Sequence, residues 1–181
     1  MREIRDLWDK AVTGWRAPAL LAAGGIGAIN AAFFMQYVVG VQPCILCLYQ
    51  RVPYVLVGVL GLTALAFGGR RRGLRVALLA LMALAMAIDC GTAIFHVGIE
   101  NHWWAGTPGC GVPSPAASVE ELRAQLLNGP VVRCDEVAWS LFGISLAGYN
   151  IVITLAMAVF AAAATRRAMV PAQPCSNSLS Q

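Results

Sequence analysis

Residues 43–67 read PCILCLYQRVPYVLVGVLGLTALAF. After Arg51 the stretch carries no charge as far as Phe67. A helix of about 20 apolar residues crosses about 30 Å of hydrocarbon. No water reaches the backbone there, so the segment must close its own hydrogen bonds as a helix. The reading is a membrane span over about residues 48–67 that enters lipid directly behind a Cys-x-x-Cys pair.

Three further runs of that length lie at about residues 17–38, 76–97 and 141–164. Of 181 residues, 59% are hydrophobic and 12% charged, against about 25% charged in soluble domains. Mean hydropathy is +0.68. The expected fold is an all-α membrane protein, a four-transmembrane-helix bundle. One membrane-embedded domain spans residues 1–170, with outer loops at about 39–47 and 98–140 and a disordered tail at 171–181. In this context the net charge of +4 is no nucleic-acid signal, and no nucleic-acid partner is expected. The charged lead from Met1 to Arg16 is mixed in sign, and no A-x-A site ends the first apolar run, so no removable signal peptide is expected. Ala23, Gly27 and Ala31 repeat at four-residue spacing, and Ala161 to Ala164 form a small-residue run. Both are expected to be packing surfaces.

Arginine and lysine near span ends set orientation. Arg2, Arg5, Lys10 and Arg16 lead the first span. Arg70, Arg71, Arg72 and Arg75 lie between the second and third. Arg166 and Arg167 follow the fourth. These segments are expected in the cytoplasm, with both termini. The connection from Gly98 to Ser140 has Arg123 and Arg133 against Glu100, Glu120, Glu121, Asp135 and Glu136, and it is expected outside. Within it, Ser118-Val119-Glu120-Glu121 fits a capping box. A short helix should run to about Leu127, with Val119, Leu122 and Leu126 on one face and Asn128-Gly129-Pro130 as the stop. Gly106 to Pro115 reads as turn-like and mobile.

The six cysteines sort by position. Cys44 and Cys47 are in the short outer loop, Cys110 and Cys134 in the long one. Cys90 is inside the third span and Cys175 in the tail, and both read as inert. Four cysteines, in two pairs, therefore face an oxidising compartment. Pro43 suits the first turn of a helix, so Cys44 and Cys47 should sit near a helix N-terminus, where thiol pKa falls. Arg51 follows Cys47 by four residues, on the same face one turn deeper, and its charge would stabilise a Cys47 thiolate. An arginine at the edge of the hydrocarbon is costly and implies a task. Two other readings use the same residues: an all-thiolate zinc site on Cys44, Cys47, Cys110 and Cys134, and a structural scaffold with loop disulfides.

Asp89, Thr92 and His96 fall on one face of the third helix, a polar stripe expected to face the bundle interior. His96 should end that helix on the outer side. Trp103 and Trp104 sit where an aromatic belt is expected, and His102 should face water.

Pro43-Cys-Ile-Leu-Cys47 with Gln50-Arg51, the His96-Val-Gly-Ile-Glu100 stretch, Cys110, and Cys134-Asp-Glu-Val-Ala-Trp139 running into Leu-Phe-Gly-Ile-Ser together resemble the disulfide bond formation protein B (DsbB) family. The resemblance covers about Pro18 to Ala164. It implies a bacterial inner-membrane oxidase that re-oxidises a periplasmic DsbA-type thioredoxin-fold protein and passes electrons to a quinone, ubiquinone ahead of menaquinone. It also implies site roles. Cys44 and Cys47 are similar to the quinone-proximal pair and Cys110 and Cys134 to the partner-facing pair, each pair closing as a disulfide at rest. Arg51 is similar to a quinone-site arginine, and His96 to a histidine near the quinone. Glu100 and Trp139 are motif residues without a stated role. No metal is expected. In the implied exchange Cys110, in the mobile stretch, is the sulfur easiest for a partner to reach, Cys134 then attacks Cys44, and Cys47 leaves as the thiolate.

A magnitude supports a strong acceptor. DsbA lies at about −120 mV and ordinary structural disulfides below about −300 mV, a gap of roughly 8 kcal/mol for two electrons. Ordinary disulfides could not oxidise such a partner without a pull from an acceptor such as a quinone. The alternative activity is that of a four-helix thiol enzyme reducing a quinone or quinone epoxide, of the vitamin K epoxide reductase type.

Overall fold

The computed structural model describes residues 2–107, 110, 118–120, 123 and 132–170. Its elements are α1 (Arg2–Val12), α2 (Arg16–Tyr37), α3 (Ile45–Phe67), α4 (Arg72–Glu100), β1 (Ser140–Leu141), β2 (Ile144–Ser145) and α5 (Leu146–Met169). Among the described residues four helices, α2 to α5, are long and apolar enough to cross a membrane. The expected bundle is therefore present.

Packing runs α2 on α3, α3 on α4 and α4 on α5. The central helix is α4, whose Leu79, Met82 and Met86 meet Leu21, Tyr54, Val57, Ala161 and Ala164 in the core. Outward positions such as Val55, Val59, Leu62, Leu84 and Ile88 are apolar and exposed, as expected of side chains whose solvent is lipid. The α2–α3 contact is close because glycine allows it. A Cβ on Gly61 would lie 2.8 Å from both the Ala22 Cβ and the Pro18 carbonyl. The expected stripe of Ala23, Gly27 and Ala31 is exposed, and the packed face is Pro18, Leu21, Ala22 and Gly25 instead. Four-residue spacing identified small residues but not which face meets α3. In α5, Ala161 and Ala164 are buried as expected.

Span ends shift for local reasons. The second span starts at Ile45 with Cys44 as N-cap, so Pro43 stands just outside the helix rather than in its first turn. The third runs 29 residues, to Glu100, about 43 Å at 1.5 Å per residue. His96 thus lies inside the helix, not at its end. The fourth starts at Leu146, not Leu141, because residues 140–145 form a hairpin pairing Ser140 with Ser145 and Leu141 with Ile144. Its two-residue turn, Phe142 and Gly143, has φ of 50° and 77°, the both-positive geometry that matches strand twist. Ser145 then caps α5, its Oγ accepting from the Gly148 N–H at 3.1 Å.

The charged lead is itself a helix, α1, which rests on α2 and α5. Val12 is buried, while Ile4, Leu7 and Trp8 stay exposed. An apolar stripe of this kind suits a helix lying in the membrane interface. The arginine-bearing segments gather at one end of the bundle. Arg72 donates to the carbonyls of Ala168, at 2.9 Å, and Met169. Arg75 donates to the Gly14 carbonyl at 2.5 Å, and Arg167 pairs with Asp9 at 2.5 Å. The cysteines of α3 and its loops occupy the opposite end. In the long loop Val119, Glu120 and Arg123 are helical. The rest of the expected loop helix, most of the Gly- and Pro-rich stretch, and the 171–181 tail with Cys175 lie outside the described residues.

Candidate functional site

Cys44 ends the extended loop and caps α3, with φ −74° and ψ 172°. Its Sγ accepts from the Cys47 backbone N–H at 3.4 Å and lies in hydrogen-bond contact with Cys47 Sγ at 3.1 Å. From α4, His96 brings Nε2 to 3.5 Å from the same sulfur. The helix N-terminus therefore favours negative charge on Cys44, not on Cys47 as the sequence suggested. The cause is the cap: as N-cap, Cys44 receives the free N–H, while Cys47 lies within the helix. The hydrogen bond between the two sulfurs, with a further one from His96, holds the Cys44 thiol well below its usual range despite burial.

The second pair arrives from the long loop. The Cys134 N–H donates to the Cys110 carbonyl at 3.1 Å and the Cys110 N–H to the Thr107 carbonyl at 2.8 Å. Cys110 Sγ also lies 3.3 Å from Thr107 Oγ1. Cys44, Leu46, Ile99, Cys110 and Cys134 share one buried cluster, with Cys47 and Phe95 packed beside it. Burial raises the Cys134 pKa, and its contacts with Cys110 and Cys44 add to the rise. All four cysteines predicted to act together thus meet, as free thiols. Cys110 differs from expectation in one respect, since it is fully buried rather than the easiest sulfur to reach. Its backbone is tied to Thr107 and Cys134, and its side chain packs on the α3 and α4 ends.

Beside Cys44 and Cys47 a cavity of about 220 Å³ opens between α2, α3, α4 and α5. Ala28, Ile29, Ala32 and Met35 give it an apolar wall, and Gln50, Arg51, Tyr54, His96, Glu100 and Asn150 supply polar groups. Arg51 reaches across to α2, donating to Gln36 Oε1 at 2.8 Å and lying 5.3 Å from the centre of the Phe33 ring. Gln50 Nε2 and His96 Nδ1 are buried with no hydrogen-bond partner among the described residues. The Tyr54 hydroxyl donates to Asn150 Oδ1. Glu100 accepts from Ser145 Oγ at 2.5 Å, which joins the end of α4 to the start of α5. Arg133 lines the same cavity and holds Asp135, at 2.9 Å, and Glu136, at 3.2 Å. The Arg133 guanidinium keeps the Asp135 carboxyl below its usual range.

The polar stripe holds in part. Asp89 and His96 are buried, whereas Thr92 is half-buried and turns its hydroxyl to the Ile88 carbonyl at 3.1 Å. Asp89 faces Asn150 from α5, and no geometric hydrogen bond to its carboxyl is found among the described residues. Cys90 is buried against α5, its Sγ 3.9 Å from the Ile151 carbonyl. His102 is exposed, as expected. Trp103 is exposed, and Trp104 stacks on Phe95 while its Nε1 donates to the Phe95 carbonyl at 2.9 Å. Sequence reasoning gave no role to Gln50, Tyr54 or Asn150. A polar side chain in an otherwise apolar span was the available signal for each.

Comparison with known proteins agrees with this arrangement. The family model described as disulfide bond formation protein DsbB matches residues 15–164, which takes in all four cysteines, Arg51 and His96. The disulfide bond formation protein B of Saccharophagus degradans is 32% identical over 143 residues, covering 76% of this chain and 85% of that protein. The disulfide bond formation protein B 2 of Pseudomonas syringae is 32% identical over 155 residues, covering 78% and 81%. That of Stutzerimonas stutzeri is 30% identical over 136 residues, covering 72% and 82%. No solved structure matches significantly. A match of this length, over four spans that carry four thiols at one end of the bundle, makes the chain a member of the DsbB family of membrane disulfide bond formation proteins.

Proposed function

We propose that this protein is an inner-membrane disulfide oxidoreductase that re-oxidises a periplasmic DsbA-type thiol oxidase and passes the electron pair to a membrane quinone, ubiquinone ahead of menaquinone. The observation that carries the reading is the cavity itself. It places the Cys44–Cys47 pair, Arg51 and the unpartnered Gln50 Nε2 around one apolar space. A buried donor without a partner is costly, and a quinone carbonyl is an acceptor of the right kind for it. The donor set therefore fits the group.

Arg51 and Gln50 would hold a quinone by its carbonyl oxygens, with the α2 wall against its apolar face. A bound quinone supplies an acceptor for two electrons. His96 Nε2 stands in hydrogen-bond reach of the Cys44 sulfur. Exchange runs by thiolate attack through mixed disulfides. The partner's thiolate attacks Cys110 of a Cys110–Cys134 disulfide and displaces Cys134, Cys134 attacks Cys44 of a Cys44–Cys47 disulfide and displaces Cys47 as the thiolate, and the partner's second thiol displaces Cys110 and closes the partner's disulfide. Cys44, in contact with both Cys47 and Cys134, is the hub between the pairs. Because Cys110 is fully buried, a partner must first displace its cover. The gathering of the arginine segments at the other end supports cytoplasmic termini and periplasmic cysteines.

The test is reconstitution with a reduced DsbA-type protein and either ubiquinone or menaquinone. Two partner thiols should be lost for each quinone reduced. A protein that reduces a quinone epoxide but leaves the partner reduced would favour the epoxide-reductase reading, and one that does neither would be a scaffold.

A further inference from the structure

We propose that the reduced protein captures one thiophilic divalent ion, Zn2+ or Cd2+, between Cys44 Sγ, Cys47 Sγ and His96 Nε2, and that this ion and a Cys44–Cys47 disulfide exclude one another. The three ligand atoms all lie within 4.8 Å of one another. They come from two elements, the cap of α3 and the outer part of α4, so the site is set by the bundle and not by one flexible loop.

The geometry is close to what such an ion needs. With metal–sulfur bonds of about 2.3 Å and metal–nitrogen bonds of about 2.0–2.1 Å, tetrahedral coordination places sulfur and nitrogen about 3.6 Å apart and two sulfurs about 3.8 Å apart. Cys44 Sγ and His96 Nε2 stand at 3.5 Å. Cys44 Sγ and Cys47 Sγ stand at 3.1 Å, so Cys47 must turn outward by about 0.7 Å to meet the tetrahedral spacing. It lines the cavity and has that side open.

Charge and protons balance. Each thiol gives up one proton, so two protons leave for each ion bound, and the metal stays divalent with no electron transferred. Two thiolates neutralise the ion, which suits a site where Cys44 is 4% and His96 3% exposed. His96 offers its Nε2 lone pair and keeps its proton on Nδ1. Cys134 is in reach of Cys44, but a third thiolate would leave an unpaired negative charge in a buried place. The fourth position therefore falls to a water from the cavity.

The same structure explains why the ion is a captive and not a structural part. A ligating histidine normally anchors its other ring nitrogen on an acceptor. His96 Nδ1 has no such partner among the described residues. The ion is thus held reversibly, and while held it occupies both sulfurs that the disulfide needs. The consequence is a metal-arrested reduced state, released by a chelator. The capture requires only free thiols and His96, so it stands apart from the quinone reading.

The experiment titrates Cd2+ into the reduced, detergent-solubilised full chain and follows the ultraviolet thiolate-to-metal charge-transfer band. One equivalent should saturate it, and EDTA should abolish it. Diamide-oxidised protein, with its helix content checked by circular dichroism, should show no band. The Cys110→Ser/Cys134→Ser double variant should keep the band, and Cys44→Ser should lose it. His96→Ala should weaken binding by more than the roughly 10–100-fold that loss of a supporting outer contact costs. Bound Cd2+ should also shield Cys44 and Cys47 from iodoacetamide. No band in reduced wild-type protein, an equal band after oxidation, or a band lost in the double variant would overturn the site. A chain that oxidises its partner normally yet shows no band would sink the metal site and leave the proposed function standing.

Discussion

Arg72 and Gln50 both carry polar groups at opposite edges of the same apolar bundle, and the fold treats them in opposite ways. Arg72 fills two carbonyls at the end of α5. Those carbonyls have no partner within their own helix, and a cation at a helix C-terminus is favoured by its dipole. Arg75 reaches the Gly14 carbonyl and Arg167 reaches Asp9, and among the described residues Arg75 Nε is the buried unpartnered atom of that end. At the cysteine end Gln50 Nε2, His96 Nδ1 and Asn150 Nδ2 are buried without partners among the described residues. Groups tied to the protein's own backbone hold elements together. Groups left open are available to something that arrives.

Substitution should separate the two ends. The largest effect is expected at the sulfurs. Cys44→Ser or Cys47→Ser should abolish partner oxidation in the reconstituted assay, with little change in thermal stability, since serine nearly matches cysteine in size. Residual turnover in both variants would remove the inner pair from the pathway and blur the contrast.

Arg51 tests whether an arginine at the cysteine end acts as those at the other end do. Arg51→Ala removes a charge-assisted donor, about 1.5–3 kcal/mol, so the apparent KM for quinone should rise roughly 10–100-fold while the protein still inserts. If the melting temperature fell and the KM stayed constant, Arg51 would be a structural tie through Gln36 and Phe33, like Arg72.

Next in size is Gly98→Ala. An added Cβ would overlap the Trp104 ring, which is itself fixed by Phe95. Overpacking of this kind costs about 1–3 kcal/mol, and displaced Trp104 should change the intrinsic fluorescence. Arg72→Ala is the matched change at the far end. It should cost about 1–2 kcal/mol of stability through unfilled helix-end carbonyls and leave turnover intact, measured as a lower melting temperature with an unchanged kcat.

The cysteine end was legible as chemistry and less so as geometry. Composition and run length gave the four spans, because lipid demands long apolar helices whatever the tertiary detail. Residue type and spacing named Cys44, Cys47 and Arg51 as neighbours, while only the family resemblance brought His96 to them. Which sulfur takes the helix N-terminus depended on a one-residue boundary, Cys44 as N-cap, and boundaries are where local signals are weakest. The start of α5 depended on the Phe142–Gly143 turn, in which a phenylalanine adopts positive φ against its usual preference. The burial of Cys110, and the meeting of Tyr54, Asn150 and Asp89, are long-range packing results that no local pattern encodes. The α2 face was misassigned because small residues occur on both sides of that helix, and only the partner decides which side is used.

The smallest effect tests the tied end most closely. Asp9 and Arg167 join α1 to the end of α5 across most of the sequence, so the pair looks like a clasp. Yet the side chains are 41% and 55% exposed. An exposed ion pair gains little over its hydrated parts and must order two mobile side chains, which leaves about 0.2–1 kcal/mol. The clasp of α1 should instead come from Val12 in the core and Trp8 edge-on to Phe160, centroids 5.7 Å apart. A double-mutant cycle of Asp9→Asn and Arg167→Gln, read by unfolding in detergent, isolates the pair from each side chain's other contacts. The coupling should fall below about 1 kcal/mol and shrink further in high salt, while Trp8→Ala should loosen α1 more. A coupling well above that value, insensitive to salt, would mean that charge and not apolar packing fastens this end.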